Sequence, residues 1–131
     1  MINPRPSDLE LQVLSVLWEN GPSTVRQILS AIPDGKKRAY TTVLTVMQVM
    51  EKKGLVSHTR DGLTHIYRPR LKKQQVLKPL MKELLKNVFR GSPSTALQYL
   101  LDDAAVDEHE LSEIRKLIST HARHARKKGG K

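Results

Sequence analysis

A mainly α fold follows from three observations on this 131-residue chain. Apolar residues recur at helical spacing in three successive segments before Gly54. Two short alternating segments then flank Asp61-Gly62, a strong hairpin signal. Beyond Pro69 every apolar pattern is helical again. Three helices followed by a β-hairpin spell an N-terminal winged helix-turn-helix, with the hairpin as its wing. The remainder spells a C-terminal helical domain, with the division expected at 70/71.

The elements follow in order. Residues 1–6 hold two prolines and predict an extended arm. Ser7-Asp8-Leu9-Glu10 has the form of a capping box, opening a helix to about Glu19 with Leu9, Val13, Leu14 and Leu17 as its apolar face. Trp18 is expected in the core. Asn20-Gly21-Pro22 stops this helix, and Ser23 is placed to cap the next, whose inner face is Val25, Ile28, Leu29 and Ile32. Pro33-Asp34-Gly35 is a turn signal, followed by the cations Lys36-Lys37-Arg38. The third helix begins near Tyr40 and ends at Gly54. Val43, Met47 and Met50 lie at i, i+4 and i+7 and form its core stripe. Residues 55–60 and 63–68 are the expected strands. Lys72 to about Arg90 carries a wide apolar stripe interrupted by Pro79, where the helix either kinks or its regular part begins. Gly91 caps it, and Ser92-Pro93 opens a short helix through about Leu101. Asp102-Asp103-Ala104-Ala105 bridges to a last helix opened by Asp107 and Glu110. The stretch from Arg123 to Lys131 is expected to be frayed.

Charge is lopsided: 23 Lys and Arg against 13 Asp and Glu give +10. Such an excess favours a polyanionic partner, nucleic acid or an anionic membrane surface. There is no cysteine, which excludes disulfides, thiolate metal sites and a cysteine nucleophile. The N-terminus lacks a signal-peptide pattern and no stretch has the length of a membrane span, so a cytoplasmic protein is expected. Neither a nucleophile elbow nor a glycine-rich phosphate loop is present. Catalysis, cofactors and a small-molecule substrate are not expected. The five histidines invite a metal site, but His121 and His124 have no third ligand following in sequence, and no metal is expected.

The third helix carries the sharpest functional expectation. Thr41, Thr45, Gln48 and Lys52 project opposite its core stripe, a short polar face without acids. Thr41, Thr42, Thr45 and Gln48 are the candidate base contacts: threonine offers a hydroxyl and a methyl suited to thymine, and glutamine pairs with adenine edges. Lys36, Lys37, Arg38, Lys52, Arg60 and Arg68 are candidate phosphate contacts, which position a protein without reading sequence. Tyr40 either hydrogen-bonds a phosphate or caps the core. The C-terminal helices cannot bury their apolar faces alone. A second copy would cover Leu80, Leu84, Val88, Leu97, Leu100, Leu111, Ile114 and Ile118, making 71–131 a dimerisation domain with a basic tail. A two-fold pair would set two third helices about 34–36 Å apart, on successive turns of duplex DNA. A homodimeric repressor on a pseudo-palindromic operator is thus expected. The alternative is a protein-interaction module that uses the winged fold without sequence-specific DNA binding.

Several blocks resemble the penicillinase-repressor family, the BlaI/MecI type. They are residues 9–18, Gly21-Pro22-Ser23-Thr24-Val25, Ala39-Tyr40-Thr41-Thr42-Val43, Lys52-Lys53-Gly54-Leu55, Phe89-Arg90-Gly91-Ser92-Pro93 and residues 110–117. The likeness spans roughly residues 7–118, with the blocks in the right order and spacing. It implies a dimeric repressor whose winged domain holds the operator and whose tail makes the dimer. It also implies release when a membrane sensor-protease cuts that tail. The family often has arginine where this chain has Val49. Its cut falls at an Asn-Phe pair, to which Gln98-Tyr99-Leu100 is the nearest local equivalent. The copper-responsive branch uses C-terminal cysteines, which this chain lacks.

Overall fold

The computed structural model describes residues 5–103 and 105–129. Its elements run α1 (Asp8–Asn20), β1 (Ser23–Thr24), α2 (Val25–Ala31), α3 (Tyr40–Lys52), β2 (Val56–Asp61), β3 (Thr64–Pro69), α4 (Lys73–Val88), α5 (Pro93–Asp103) and α6 (Glu108–Gly129). The chain forms two compact units, Met1–Lys82 and Glu83–Lys131. Most of the expected N-terminal arm, residues 1–4, lies outside the described residues, as do Ala104 of the expected bridge and Lys131 of the tail.

In the first unit, α1 opens on a complete capping box. The Ser7 hydroxyl accepts from the Glu10 N–H and the Glu10 carboxylate accepts from the Ser7 N–H. Val13, Leu14, Val16 and Leu17 are buried below it, while Leu9 is only partly covered. Trp18 packs at the core edge and donates its indole N–H to the Leu71 carbonyl at 2.9 Å. The cap of α2 is Thr24, not the expected Ser23. Ser23 is already committed: its backbone pairs with Tyr67 in the sheet and its hydroxyl donates to the Gly21 carbonyl. Thr24 instead forms a reciprocal capping box with Gln27.

Val43, Met47 and Met50 of α3 are each at most 1% exposed, so the core stripe falls where its spacing puts it. Burying a side chain of this kind contributes about 1.5–3 kcal/mol. The helix ends in a Schellman motif, with the Leu55 N–H on the Met50 carbonyl and the Gly54 N–H on that of Glu51. Gly54 takes φ +80°, a conformation that a side chain would strain.

The sheet order is β1-β3-β2, all antiparallel. Asp61 pairs with Thr64, so the hairpin loop is Gly62-Leu63, one residue later than expected. Gly62 has φ +65° and Leu63 does not share it, the pattern of a II′ turn. The first unit extends past the expected 70/71 division because Val76 of α4 is fully buried in its core, with Leu71 and Leu80 packed against it. The α4 helix runs through Pro79, which is exposed.

In the second unit, the Ser92 hydroxyl accepts from the Thr95 N–H and caps α5, and Asp107 accepts from the Glu110 N–H at the start of α6. The Phe89 and Tyr99 rings meet edge-on with centroids 5.4 Å apart. The expected frayed tail is helical through Gly129 instead. Lys, Arg and Ala are good helix formers, and they dominate residues 122–128.

Candidate nucleic-acid interface

The exposed side of α3 is the product of its buried side. With Val43, Met47 and Met50 turned inward, Thr41, Thr42, Thr45, Gln48 and Lys52 are all left exposed. Val49 joins them at 41% exposure. The Thr45 hydroxyl donates to the Thr41 carbonyl at 2.9 Å, and the residue remains exposed. Glu51 is the single acid in α3, and its carboxylate is engaged by His58 Nδ1 at 2.7 and 2.9 Å. Ala39 gives the helix no side-chain cap and the first turn holds no acid. The first N–H groups of α3 and its positive dipole end therefore sit beside the same exposed face.

The predicted cations divide. Lys36, Lys37 and Lys52 are exposed. Arg38 is held by Asp34 through two bonds of 2.9 and 2.7 Å. Asp34 also accepts from the Lys36 N–H, while its own N–H donates to Gln12. Hydrogen bonds from Arg38 and from the Lys36 backbone hold the Asp34 carboxyl well below the usual carboxylate range, and the bond to Asp34 raises Arg38. Arg38 thus fixes the loop that carries Lys36 and Lys37, with its own charge offset by the acid. The wing arginines also separate. Strand alternation puts Arg60 on the face shared with His58, His65 and Tyr67, and Arg68 on the other face, where it donates to Thr59 Oγ1 at 2.6 Å.

Arg26 is not singled out by the sequence, and His58 and His65 enter there only among five histidines weighed as metal ligands. Arg26 of α2 lies over the Tyr40 ring, its guanidinium carbon 5.3 Å from the centroid. Tyr40 is thereby a platform for a cation rather than a core cap, and it is 41% exposed. His58 stacks on His65 with centroids 4.3 Å apart and planes 16° from parallel. Through Glu51, this pair fastens the base of the wing to the last turn of α3. Beneath it, burial raises the Tyr67 phenol, helped by the charges of Glu51 and Tyr40. The signal for the histidine pair was available, since His58 and His65 occupy one face across the Asp61-Gly62 turn.

A second tie anchors the end of α3. Lys53 Nζ contacts both Glu10 oxygens at 2.8 and 2.9 Å, joining the end of α3 to the first turn of α1. Burial works to raise the Glu10 carboxyl, but the bonds from Lys53 and Ser7 outweigh it and the net shift is downward. Among the described residues no group of three or more His, Asp or Glu has metal-holding geometry, and no helix is long and apolar enough to cross a membrane.

The expected dimer residues are spread over both units. Leu80 packs against the winged-helix core. Leu84, Val88, Leu100 and Ile118 are exposed, and Leu97, Leu111 and Ile114 are half-buried. Gln98, Tyr99 and Leu100 are exposed on α5.

A family profile described as Penicillinase repressor matches residues 6–120. The chain belongs to the penicillinase-repressor family. It is 37% identical over 106 residues to the Transcriptional regulator BlaI of Mycobacterium tuberculosis, covering 79% of this chain and 77% of that one. It is 21% identical over 118 residues to the Penicillinase repressor of Bacillus licheniformis, covering 90% and 92%. Among solved structures it is similar to monomeric Bacillus licheniformis BlaI in complex with the blaP half-operator. That match has a TM-score of 0.48 and 24% identity, over 56% of this chain and 89% of that one. In this penicillinase-repressor family member, Val49 stands in the middle of the exposed α3 face, between Thr45 and Lys52.

Proposed function

We propose that this protein is a transcriptional repressor that binds a pseudo-palindromic operator in duplex DNA as a homodimer. The observation that carries the reading is the exposed, acid-free α3 face of Thr41, Thr42, Thr45 and Gln48, held rigidly by the core stripe behind it. These side chains supply the contacts to base edges. Lys36, Lys37, Lys52 and Arg60 supply attraction to phosphate, and the names of the family's relatives as regulators support the same direction. The cytoplasm is where such a repressor meets its operator.

The homodimer reading is supported by the apolar side chains that the second unit exposes, Leu84, Val88, Leu100, Leu117 and Ile118. A second copy of the chain would cover them. Release follows from cutting the dimerisation unit. A sensor-protease would act at Gln98-Tyr99-Leu100, and because these residues are helical, α5 must unwind locally for the cut.

The test is selection of fragments from the source genome followed by gel shifts over a salt series. The proposal expects one tight, sequence-selective complex, containing two protein copies, whose log affinity falls steeply with log salt. A chain that captures no duplex selectively is a protein-interaction module instead, and the proposal fails.

A further inference from the structure

A groove of about 470 Å³ opens beside the α3 face, between the starts of α2 and α3 and the tip of the wing. Its walls are of two kinds. Arg26, Tyr40, Thr64 and His65 offer polar groups, and Leu44 and Leu63 are apolar. No acid lines it. Leu63 is 101% exposed at the wing tip, held out by the turn at Gly62.

Arg26 is the informative group. Arg38, at the other end of the α2–α3 connection, has its charge offset by the Asp34 carboxylate. Arg26 is instead supported from below by an aromatic ring, and its guanidinium has no hydrogen-bond or ion-pair partner among the described residues. A stacked guanidinium keeps its N–H edge available for a planar or tetrahedral anion. Tyr40, which holds it, directly precedes Thr41 and Thr42, so the groove is continuous with the base-contact face.

We infer that this groove seats the deoxyribose-phosphate backbone of one DNA strand between α3 and the wing, with Arg26 clamping one phosphate and Leu63 lying against the neighbouring sugar. This rests on the DNA-binding reading above and deepens it. The cationic group fits a phosphate and the apolar wall fits a sugar. Arg26 therefore positions the reading face without itself choosing a base.

The experiment uses the full-length protein and the tightest genomic fragment recovered by the wild type. Binding is measured over a salt series for wild type, Arg26→Ala and Leu63→Asp. It is repeated on DNA in which single phosphates are replaced by neutral methylphosphonates. Arg26→Ala is expected to reduce the slope of log affinity against log salt by about 0.9 per contact, hence about 1.8 for two copies. The order of preference among sequences stays unchanged. One methylphosphonate position per half-site weakens the wild type and has no further effect on Arg26→Ala. Leu63 is fully exposed at the wing tip, so Leu63→Asp leaves the fold alone and keeps the inference testable if Arg26→Ala unfolds. It sets a carboxylate against phosphates and should weaken all sequences about tenfold at low salt.

An unchanged slope in Arg26→Ala with additive methylphosphonate effects overturns the clamp. So does Leu63→Asp binding as wild type. In either case the wild type still selects DNA and the repressor reading survives. A wild type that selects no duplex overturns both.

Discussion

Replacing Lys53 by alanine removes the cation that holds Glu10. The Glu10 carboxylate is only 6% exposed, and Lys53 meets both of its oxygens. Stranding a fully buried charge costs about 3–5 kcal/mol. Two features reduce that figure. The Ser7 N–H still donates to Glu10 Oε1 at 2.8 Å, and Lys53 itself is 24% exposed, so water reaches the gap it leaves. The expected loss is about 2 kcal/mol at pH 7. The assay is urea unfolding followed by Trp18 fluorescence, run from pH 7 to pH 3. Glu10 is depressed in the folded state, so its contribution is fully present above the ordinary value of 4.5 and is lost as pH falls through its lowered folded value. Without Lys53, burial acts with less opposition and the carboxyl rises. The gap between wild type and variant should therefore narrow as pH drops and Glu10 becomes neutral in both. Glu10→Gln should remove most of the gap in a double-mutant cycle. A gap below about 0.5 kcal/mol at pH 7, or one that stays constant to pH 3, would refute the assignment of a buried, load-sharing ion pair.

Three further outcomes are expected. A fragment ending at residue 82 should fold, whereas one ending at residue 70 loses Val76, Leu71 and the partner of the Trp18 indole, and should melt well below it; Val76→Ala in the full chain should cost about 2 kcal/mol by urea unfolding. His58→Ala cuts the tie between the wing and α3, costs about 1 kcal/mol, and should speed hydrogen exchange in β2 and β3 more than in α1. Leu84→Asp places a charge on the exposed apolar face of the second unit and should give a monomer in sedimentation, with operator affinity falling alongside; a variant that stays dimeric would move the interface elsewhere.

Local chemistry was legible in the sequence; chain-distant pairing was not. The capping box at Ser7 and Glu10, the stripe of Val43, Met47 and Met50, and the stop at Gly54 each depend on neighbours within one or two turns. The cap of α2 went to Thr24 because Ser23 pairs with Tyr67, far along the chain. The capping role of Glu10 is local, but its second partner Lys53 lies 43 residues away. The apolar stripe of α4 was visible, yet nothing in its spacing says that Val76 and Leu80 belong to the first unit. At the candidate site, the polar α3 face was legible from periodicity. The division of the cations was not, because it depends on where Asp34 and the Tyr40 ring come to rest.

On the proposed function, the choice of base sequence rests with the exposed threonines and glutamine of α3. Its most direct measurement is the affinity of wild type, Thr45→Ala, Gln48→Ala and Lys37→Ala for the selected operator and for each of its single-base-pair variants. Thr45→Ala and Gln48→Ala should each lose about 1–3 kcal/mol of discrimination at particular base pairs. Lys37→Ala should instead weaken every sequence about equally and lower the salt slope by about 1. Discrimination that survives intact in both α3 variants would contradict the claim.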